Sequence, residues 1–379
     1  MPIRVLCVVG ARPNFMKIAP IMRHFNEPGS GITARLLHTG QHYDTGMKAA
    51  FFLQLGIPEP DVDLGVGSGS HSQQTAQIML RFEPELDDWR PDAVLVVGDV
   101  NSTIACALVA VKKGIPVIHV EAGLRSYDRE MPEEINRILT DQISELLFTT
   151  ERAAESNLAK EGISGDRIHF VGNVMIDTLM LNREKAIPAS QTLAKLERAD
   201  LFQDEKGYAL VTMHRPSNVD RPEVLERLLV TLAKVSRTLP IVFPLHPRTR
   251  ARIEEFGLQS QLDSGRIATV PPLGYLEILG LMDKARVVLT DSGGIQEETT
   301  ALGVPCITLR ENTERPITVT EGTNTIVGSD SDRIIDCFND VMATGGKSGR
   351  IPELWDGKSA IRISESIREW YSGNVRARG

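Results

Sequence analysis

The sequence predicts an α/β protein made of two Rossmann-like, doubly wound domains that face each other. Short runs rich in β-branched residues alternate with segments of helical period, which is typical of parallel sheets covered by helices. The alternation occurs in two series, separated by a stretch that has no strand-like run. The chain has 379 residues, enough for two domains of ordinary size.

The first series predicts an N-terminal domain over residues 1–172. Its predicted strands are Ile3–Val9, Thr33–His38, Ala93–Val97, Ile115–Val120 and Leu146–Thr149. The pattern weakens across Leu179–Asp204, which contains Pro188 and several charges. We expect helical linker material there.

The second series predicts a C-terminal domain over residues 173–359. Its predicted strands are Tyr208–Met213, Ile241–Leu245, Ile267–Val270, Arg286–Thr290 and Pro305–Leu309, with helices such as Glu223–Ser236 and Tyr275–Asp283 between them. The last segment places four apolar residues on one helical stripe: Ile363, Ile367, Trp370 and Tyr371. The helix over residues 360–379 should therefore pack against a domain surface, and the first domain is a candidate for it.

Composition narrows the class of partner. A net charge of −8 without a run of Lys or Arg argues against nucleic acid. No apolar run approaches the roughly 20 residues that cross a bilayer, and the amino terminus lacks a signal-peptide cleavage site, so we expect a cytoplasmic protein that does not bind membranes. The four cysteines lie far apart in apolar or helix-like segments, which indicates neither a disulfide framework nor a zinc site.

In the first domain, charged residues follow the predicted strands. Gly10-Ala11-Arg12-Pro13 comes after the first strand and Lys17 one turn later, so Arg12 and Lys17 are either solvated cations or ligands of a diphosphate. Asp99 follows the third strand and Glu121 the fourth. Either could simply cap a helix or turn.

The segment MPEEINR supplies a third acid in this domain. Its Glu133 and Arg137 are four residues apart, on one helical face. Alone, such a pair is an ordinary surface salt bridge. Because it follows the loop of Glu121 closely, Asp99, Glu121 and Glu133 could instead converge on one cleft.

In the second domain, polar residues again end the strands. His214 and His246 each close a strand at the presumed ligand edge. The turn Asp291-Ser292-Gly293-Gly294 precedes a helix, and Arg315 lies further along the chain in TERP. This turn is either plain helix capping or a phosphate site made of bare N–H groups.

Together these segments resemble the non-hydrolysing UDP-N-acetylglucosamine 2-epimerases. The resemblance extends in order over nearly the whole chain and is carried by GARPNFMKIAP, TGQHYD, GDVNST, VEAGLRS, MPEEINRILTD, FVGNVMIDT, HPR, DSGGIQEE and TERPITVTEGTN. It implies the two-domain GT-B-like architecture, with a UDP-sugar bound between the domains. It also implies no metal or redox cofactor, and usually a homodimer.

The resemblance further implies a reaction and a set of roles. UDP-GlcNAc and UDP-ManNAc interconvert by anti elimination of UDP to a 2-acetamidoglucal, followed by re-addition. Asp99, Glu121 and Glu133 become acid/base or sugar-positioning residues, with Arg137 and His214 beside them. Arg12, Lys17, His214 and Arg315 become cations near the diphosphate, whereas Ser292, Gly293 and Gly294 hold phosphate and Glu298 holds the ribose hydroxyls.

Two positions depart from the family pattern. Gln73 in SHSQQTA stands where the allosterically activated bacterial enzymes carry an arginine, which puts activation by UDP-GlcNAc in doubt. Ser217 in PSNVD stands where a glutamate is common, so the substrate can differ in detail. An epimerase of a 2,3-diacetamido uronic acid UDP-sugar and a GT-B glycosyltransferase with a UDP-sugar donor remain alternatives. A hydrolysing epimerase and a non-catalytic sensor rank lower.

Overall fold

The computed structural model describes residues 2–40, 52, 54–202, 205–263 and 265–378, and the chain forms two compact units. The first unit contains the residues up to Leu181 and those from Glu353 onward, and the second contains Asn182–Pro352. These limits differ from the expected 172 and 359. Val174 packs into the core of the first unit, and the buried Trp355 donates its indole N–H to the Thr150 carbonyl of the same unit.

Within the described residues, the first unit contains a parallel sheet with strand order β3-β2-β1-β4-β5-β6-β7. The strands are β1 (Ile3–Val9), β2 (Ile32–His38), β3 (Val62–Asp63), β4 (Ala93–Val97), β5 (Val117–Ala122), β6 (Leu146–Thr149) and β7 (Ile168–Phe170). The helices that follow them are α1 (Arg12–Phe25), α2 (His71–Trp89), α3 (Asn101–Lys112), α4 (Pro132–Ile143), α5 (Arg152–Lys160) and α6 (Val174–Arg183). A 3₁₀ turn covers Gly165–Arg167.

The second unit contains a parallel sheet with strand order β10-β9-β8-β11-β12-β13. The strands are β8 (Ala209–Thr212), β9 (Ile241–Pro244), β10 (Ile267–Val270), β11 (Val287–Thr290), β12 (Cys306–Thr308) and β13 (Asn324–Ile326). The helices are α7 (Ala189–Lys195), α8 (Pro216–Val219), α9 (Pro222–Ser236), α10 (Pro247–Glu255), α11 (Gln259–Asp263), α12 (Tyr275–Lys284), α13 (Gly293–Leu302), α14 (Pro316–Thr320) and α15 (Ser331–Thr344). A 3₁₀ turn covers Ala199–Phe202.

The first sheet is covered on both faces. Along β1, Val5, Cys7 and Val9 belong to one hydrophobic cluster, whereas Leu6 and Val8 belong to another. Successive side chains of a strand point to opposite faces, so a strand buried on both sides reads as a continuous apolar run. This explains why the sequence located most of these strands well.

The C-terminal helix α16 (Ser359–Arg378) packs on the first unit. Ile363 and Ile367 are fully buried in the cluster that contains β1 and α1, and Trp370 and Tyr371 pack partly buried against it. The predicted apolar stripe is therefore the face that docks.

The predicted strands agree with the structure at both ends for β1, β4, β6 and β10. Strand β5 begins and ends two residues later than predicted, at Val117 and Ala122. The sequence pattern does not predict β3, β7 and β13, which are edge strands of 2, 3 and 3 residues. A strand that short is too brief to show an alternating pattern.

The sheet order positions the candidate site. β1 lies between β2 and β4, and β8 lies between β9 and β11, so the winding reverses at the first strand of each sheet. Ligands of open α/β sheets bind beyond the carboxyl ends of the strands at such a reversal. Lys17 and Asp99 follow the two central strands of the first sheet, and His214 and Asp291 follow those of the second.

Three cysteines, Cys7, Cys106 and Cys306, are buried free thiols, and Cys337 is partly exposed. This agrees with their interpretation as small hydrophobic residues. In the part of the chain that the structure describes, no helix combines the length and the apolar character needed to cross a membrane.

Candidate active site

A buried ion pair lies at the carboxyl edge of the first sheet. Helix α1 begins directly after β1 and carries Lys17 one turn into the helix. The Lys17 ammonium contacts the Glu121 carboxylate, and both side chains are almost fully buried. Because an unpaired buried charge is strongly destabilising, each group holds the other in place.

Glu121 occupies an irregular position in its strand. Its φ is 73°, and the register of β5 on β6 shifts between Val120 and Ala122. Glu121 therefore lies within β5, where the sequence analysis expected it to follow the strand, because a bulge re-aims its side chain without ending the pairing. A non-glycine residue in the left-handed region costs about 1–3 kcal/mol, so the surrounding contacts must hold it there.

Gly98 provides the space that this ion pair needs. It follows β4 with φ of 67°, and a Cβ atom built on it would lie 2.7 Å from Lys17 Nζ. A side chain at this position would require a strained backbone and a shift of the Lys17 ammonium, so both features favour glycine.

Arg137 joins Asp99 to a second buried acid. Its guanidinium contacts the Asp99 carboxylate and lies 2.7 Å from Glu134 Oε2. Burial alone would raise the pKa of Glu134, but hydrogen bonds from the backbone N–H groups of Ser126 and Tyr127 and from Arg137 hold it below its ordinary value. The Asp99 side chain keeps 21% exposure, so it is the acid of this group that solvent reaches.

The expected pairing of Arg137 with Glu133 does not match the structure. Helix α4 turns Glu134, Arg137 and Asp141 inward, and the arginine pairs with Glu134, three residues before it. Glu133 is half-buried in the first turn of α4. The spacing of four residues allowed the contact, but burial of the neighbouring glutamate decided the partner.

A series of contacts between polar side chains, which the sequence pattern does not predict, joins β5 to α4. His119 Nδ1 is 2.6 Å from Asp141 Oδ1, and Arg125 Nη2 is 2.7 Å from Asp141 Oδ2. Arg125 also donates two hydrogen bonds, of 2.8 and 2.6 Å, to the Glu161 carboxylate. A signal was present, because a histidine inside a strand predicted to be buried on both faces requires a buried partner.

In the second unit, Asp291 connects the ends of β8 and β11. Its carboxylate is fully buried and accepts hydrogen bonds from the backbone N–H groups of His214 and Arg215 and from the Asn218 amide. Burial alone would raise the pKa of Asp291, but the contact with the His214 ring, at 3.2 Å, and these backbone bonds lower it. Asp291 thus orients the loop of His214. Simple helix capping was the alternative role for the turn that contains Asp291.

The two predicted histidines are neighbours. The ring centroids of His214 and His246 are 5.2 Å apart. His246 is the N-cap residue of α10, and its Nδ1 accepts a hydrogen bond from the Arg248 N–H.

The DSGG turn opens α13 without a side-chain cap. Ser292 is the N-cap residue, yet it makes no side-chain hydrogen bond to the first turn. The first N–H groups of a helix have no partner within the helix, and they attract anions. A Cβ atom on Gly293 would lie 2.7 Å from Glu314 Oε1, so a side chain there would displace this carboxylate, and Gly294 continues the first turn.

Three arginines lie around Glu314, the acid that borders this turn. Arg310 lies 2.8 Å from the buried Glu314, with Arg215 at 3.6 Å and Arg315 at 3.8 Å from the same carboxylate. Burial alone would raise the pKa of Glu314, but Arg315 and Arg310 lower it far below its ordinary range. Arg315 also lies 2.7 Å from Glu297 Oε1. The sequence analysis singled out Arg315 but missed Arg310 and Glu297.

Glu298 lies about one turn into α13. It is buried and accepts a hydrogen bond of 2.9 Å from the Tyr275 hydroxyl. Burial raises the pKa of Glu298 to about 8; the tyrosine bond lowers it only in part, and the charge of Glu297 raises it further.

The remaining predicted positions are less informative. The side chain of Arg12 and residues 41–44 of the TGQHYD motif lie outside the described residues. Gln73 closes a capping box at the start of α2 with Ser70, whose hydroxyl accepts from the Gln73 N–H. Ser217 is exposed in the short helix α8.

Comparison with known proteins identifies the family. The family model described as UDP-N-acetylglucosamine 2-epimerase matches residues 26–368. The chain belongs to this family. A UDP-N-acetylglucosamine 2-epimerase of Methanococcus maripaludis is 42% identical over 91% of the chain and 95% of its own length. Also similar is a UDP-2,3-diacetamido-2,3-dideoxy-D-glucuronate 2-epimerase of Pseudomonas aeruginosa, 40% identical over 96% of the chain and 99% of its own length.

Solved structures of the family share the fold. The UDP-GlcNAc 2-epimerase of Methanocaldococcus jannaschii, crystallised in complex with UDP-GlcNAc and UDP, has a TM-score of 0.88 and 40% identity, covering 97% of this chain and all of that one. The enzyme of Neisseria meningitidis bound to UDP-GlcNAc has a TM-score of 0.85 and 33% identity, covering 97% of this chain and 100% of that one. The predicted α/β fold with two Rossmann-like domains is confirmed, and the chain is an isomerase of this family.

Proposed function

We propose that the chain interconverts UDP-N-acetylglucosamine and UDP-N-acetylmannosamine by inverting C2 of the sugar. The observation that carries the proposal is the buried pair of Lys17 and Glu121 beside Asp99, in a member of this epimerase family. The backbone of Glu121 is strained, and Gly98 leaves room for the pair. Backbone strain of this kind is common at functional sites.

The chemistry requires an elimination. The C2 hydrogen is not adjacent to a carbonyl, so its direct removal would face a prohibitive barrier. A base takes the C2 proton while the C1–O bond breaks and its electron pair leaves with UDP, giving a 2-acetamidoglucal. An oxygen of UDP then re-forms the bond to C1 as a proton is delivered to C2 from the opposite face.

Two kinds of group are needed: acids for the proton transfers, and cations or N–H groups for the diphosphate. Asp99, Glu121 and Glu133 are proposed as the proton-transfer and sugar-positioning groups of the first unit, with Lys17, Arg137 and Arg12 as its cations. The second unit offers the uncapped start of α13 at Ser292, Gly293 and Gly294, with His214, His246 and Arg315 nearby, for the diphosphate. Glu298 is proposed to accept the ribose hydroxyls.

Substitution of the three acids tests this assignment. General acid/base groups contribute about 10²–10⁴-fold in rate, so Asp99→Asn, Glu121→Gln and Glu133→Gln should each lower kcat by that order. Formation of UDP-ManNAc, followed by NMR, measures kcat, and thermal denaturation verifies the fold. Glu130→Gln is the matched control, because Glu130 is an exposed acid just before α4. Near-normal turnover in all three variants contradicts the assignment.

A second candidate substrate is the UDP-sugar of a 2,3-diacetamido uronic acid. The relative from Pseudomonas aeruginosa that is named for this substrate is about as similar to the chain as the relatives named for UDP-GlcNAc. Comparing kcat/KM on the two UDP-sugars decides between them. If kcat/KM is higher for the UDP-sugar of the uronic acid, that sugar is the substrate and UDP-N-acetylglucosamine is not.

Incubation in deuterated water separates epimerisation from glycosyl transfer. An epimerase exchanges the C2 hydrogen of its UDP-sugar without any acceptor, whereas a glycosyltransferase requires an acceptor and leaves C2 unchanged. The homodimer and the cytoplasmic location stay predictions of the same proposal, and Gln73 leaves activation by UDP-GlcNAc an open question.

A further inference from the structure

His119 is a buried residue to which the proposed reaction gives no role. It lies on β5, two positions before Glu121, and its side chain is completely buried. Its two ring nitrogens contact different elements. Nδ1 lies 2.6 Å from Asp141 Oδ1 on α4, and Nε2 lies 2.8 Å from the carbonyl oxygen of Gly98 after β4.

The ring nitrogen that faces Gly98 acts as a donor. The Gly98 carbonyl can only accept, so Nε2 must carry a hydrogen. The other oxygen of Asp141 accepts from the Gly123 N–H at 3.1 Å and lies 2.7 Å from the Arg125 guanidinium. Nδ1 meets Oδ1 of Asp141, so the orientation of the ring is fixed at both ends.

Through these bonds, His119 and Asp141 hold two loops at once. The bond to the Gly98 carbonyl fixes the peptide that directly precedes Asp99. The bond from the Gly123 N–H to Asp141 fixes the turn that follows Glu121. The backbone is left-handed in both loops, with φ of 67° at Gly98, 73° at Glu121 and 79° at Gly123. Glycine adopts this conformation readily, but at Glu121 it persists only where neighbouring contacts enforce it.

The position of Gly98 also affects the ion pair. A Cβ on this residue would approach Lys17 Nζ to 2.7 Å and Glu121 Oε2 to 3.8 Å, so the Gly98 peptide borders both charged groups. A displacement of this peptide would move Asp99, which is the next residue in the chain. It would also disturb the Lys17–Glu121 pair, which lies against the Gly98 peptide.

We propose that His119 is a positioning residue, which fixes the Gly98 peptide so that Asp99 and Glu121 keep their reactive geometry. The inference rests on the proposed function, because it assumes that these two acids carry the proton transfers. A displacement of about 1 Å at a reacting group can cost roughly 10²-fold in rate, so loss of this bond should appear mainly in kcat.

Two substitutions at His119 separate positioning from packing. In His119→Gln the terminal amide nitrogen takes the place of Nε2 and can still donate to the Gly98 carbonyl. In His119→Asn the amide reaches only the place of Nδ1, so it bonds Asp141 and leaves Gly98 free. The expected result is a fall in kcat of about 10²-fold for His119→Asn with KM nearly unchanged, and recovery of at least about tenfold in His119→Gln.

Glu161→Gln is the matched control. Glu161 lies at the far end of the same series of contacts, bonded to Arg125, and its substitution leaves the bonds to Gly98 and Gly123 intact. Its kcat should stay near that of the unsubstituted protein. Thermal denaturation of all three variants, and C2 exchange in deuterated water as a measure of the chemical step, complete the experiment.

A kcat for His119→Asn within about threefold of the parent overturns the proposal, as does a His119→Gln variant no more active than His119→Asn. If His119→Asn does not fold, His119→Gln is compared with Glu161→Gln instead. A kcat of His119→Gln more than about tenfold below that of Glu161→Gln then overturns the inference. Failure of the unsubstituted protein to exchange C2 of either UDP-sugar overturns the proposed function instead.

Discussion

At the scale of single residues, each candidate half-site contains a buried pair of opposite charges. Lys17 pairs with Glu121 in the first unit, and Arg315 pairs with Glu297 in the second. Removing one partner of such a pair leaves an uncompensated buried charge, which costs about 3–5 kcal/mol. Glutamine removes the charge of a glutamate as alanine does, but it keeps the volume and a hydrogen-bonding group, so it disturbs the packing of the site less than alanine.

Glu298 leads to a prediction about pH. Its pKa is raised to about 8, so below that pH the folded protein holds this carboxyl protonated. If the ionised form accepts the ribose hydroxyls, UDP binding releases the proton. The affinity for UDP should then rise by up to about tenfold per pH unit as pH approaches 8, and level off above it. Calorimetric titration between pH 6.5 and 9 measures this slope.

Two variants control this experiment. Glu298→Gln should remove the pH dependence assigned to this carboxyl. Tyr275→Phe removes the hydrogen bond that lowers the pKa of Glu298, so the rise should move to higher pH. A slope that survives in Glu298→Gln assigns the titration to another group.

At the scale of elements, the C-terminal helix shows how a remote segment becomes part of a core. Asp177 on α6 accepts hydrogen bonds from the backbone N–H groups of Ser359 and Ala360, and thereby caps α16 from another helix. Burial raises the pKa of Asp177, and the two backbone bonds oppose that rise. The cap fixes the start of α16, and its buried isoleucines fix the rest.

The packing of α16 gives a stability prediction. Ile367 is fully buried against β1 and α1, so Ile367→Ala should lower the free energy of unfolding by about 2–5 kcal/mol. Ile361 on the same helix is 41% exposed, and Ile361→Ala should change stability by no more than about 0.5 kcal/mol. Denaturant unfolding of both variants measures the difference. Equal effects would show that α16 does not depend on this contact.

At the scale of the whole molecule, only the second unit is continuous in sequence. Residues 182–352 contain a complete sheet, and its hydrophobic cluster lies entirely within these limits. The linker after α6 also belongs to this unit, because the Ile187 N–H donates to the Leu276 carbonyl. The first unit, by contrast, requires both ends of the chain.

This difference predicts how fragments behave. A fragment of residues 182–352 should fold alone, with a cooperative thermal transition followed by circular dichroism. A fragment cut at the sequence-predicted limits, residues 173–359, carries Val174 and Trp355 without the first-unit core that buries them, and it should aggregate more readily. A non-cooperative transition for the first fragment contradicts the division.

Much of the fold followed from the sequence alone, because strands buried on both faces leave continuous apolar runs and helices leave a period of 3.6 residues. The short edge strands and the exact unit limits did not follow. Local pattern carries no information on which core a helix such as α6 joins. The same limit applies to the site, where sequence placed Asp99, Glu121 and His214 at strand ends but not their partners.

The sequence by itself determined the doubly wound α/β fold, the family and the set of charged residues at the carboxyl ends of the strands. Tertiary structure alone decided which charges meet. It paired Arg137 with Glu134, placed Glu121 on a bulge and connected His119 to both loops beside it. The physical reason is that periodicity reports which face of an element is buried, whereas the partner of a buried charge depends on segments distant in the chain.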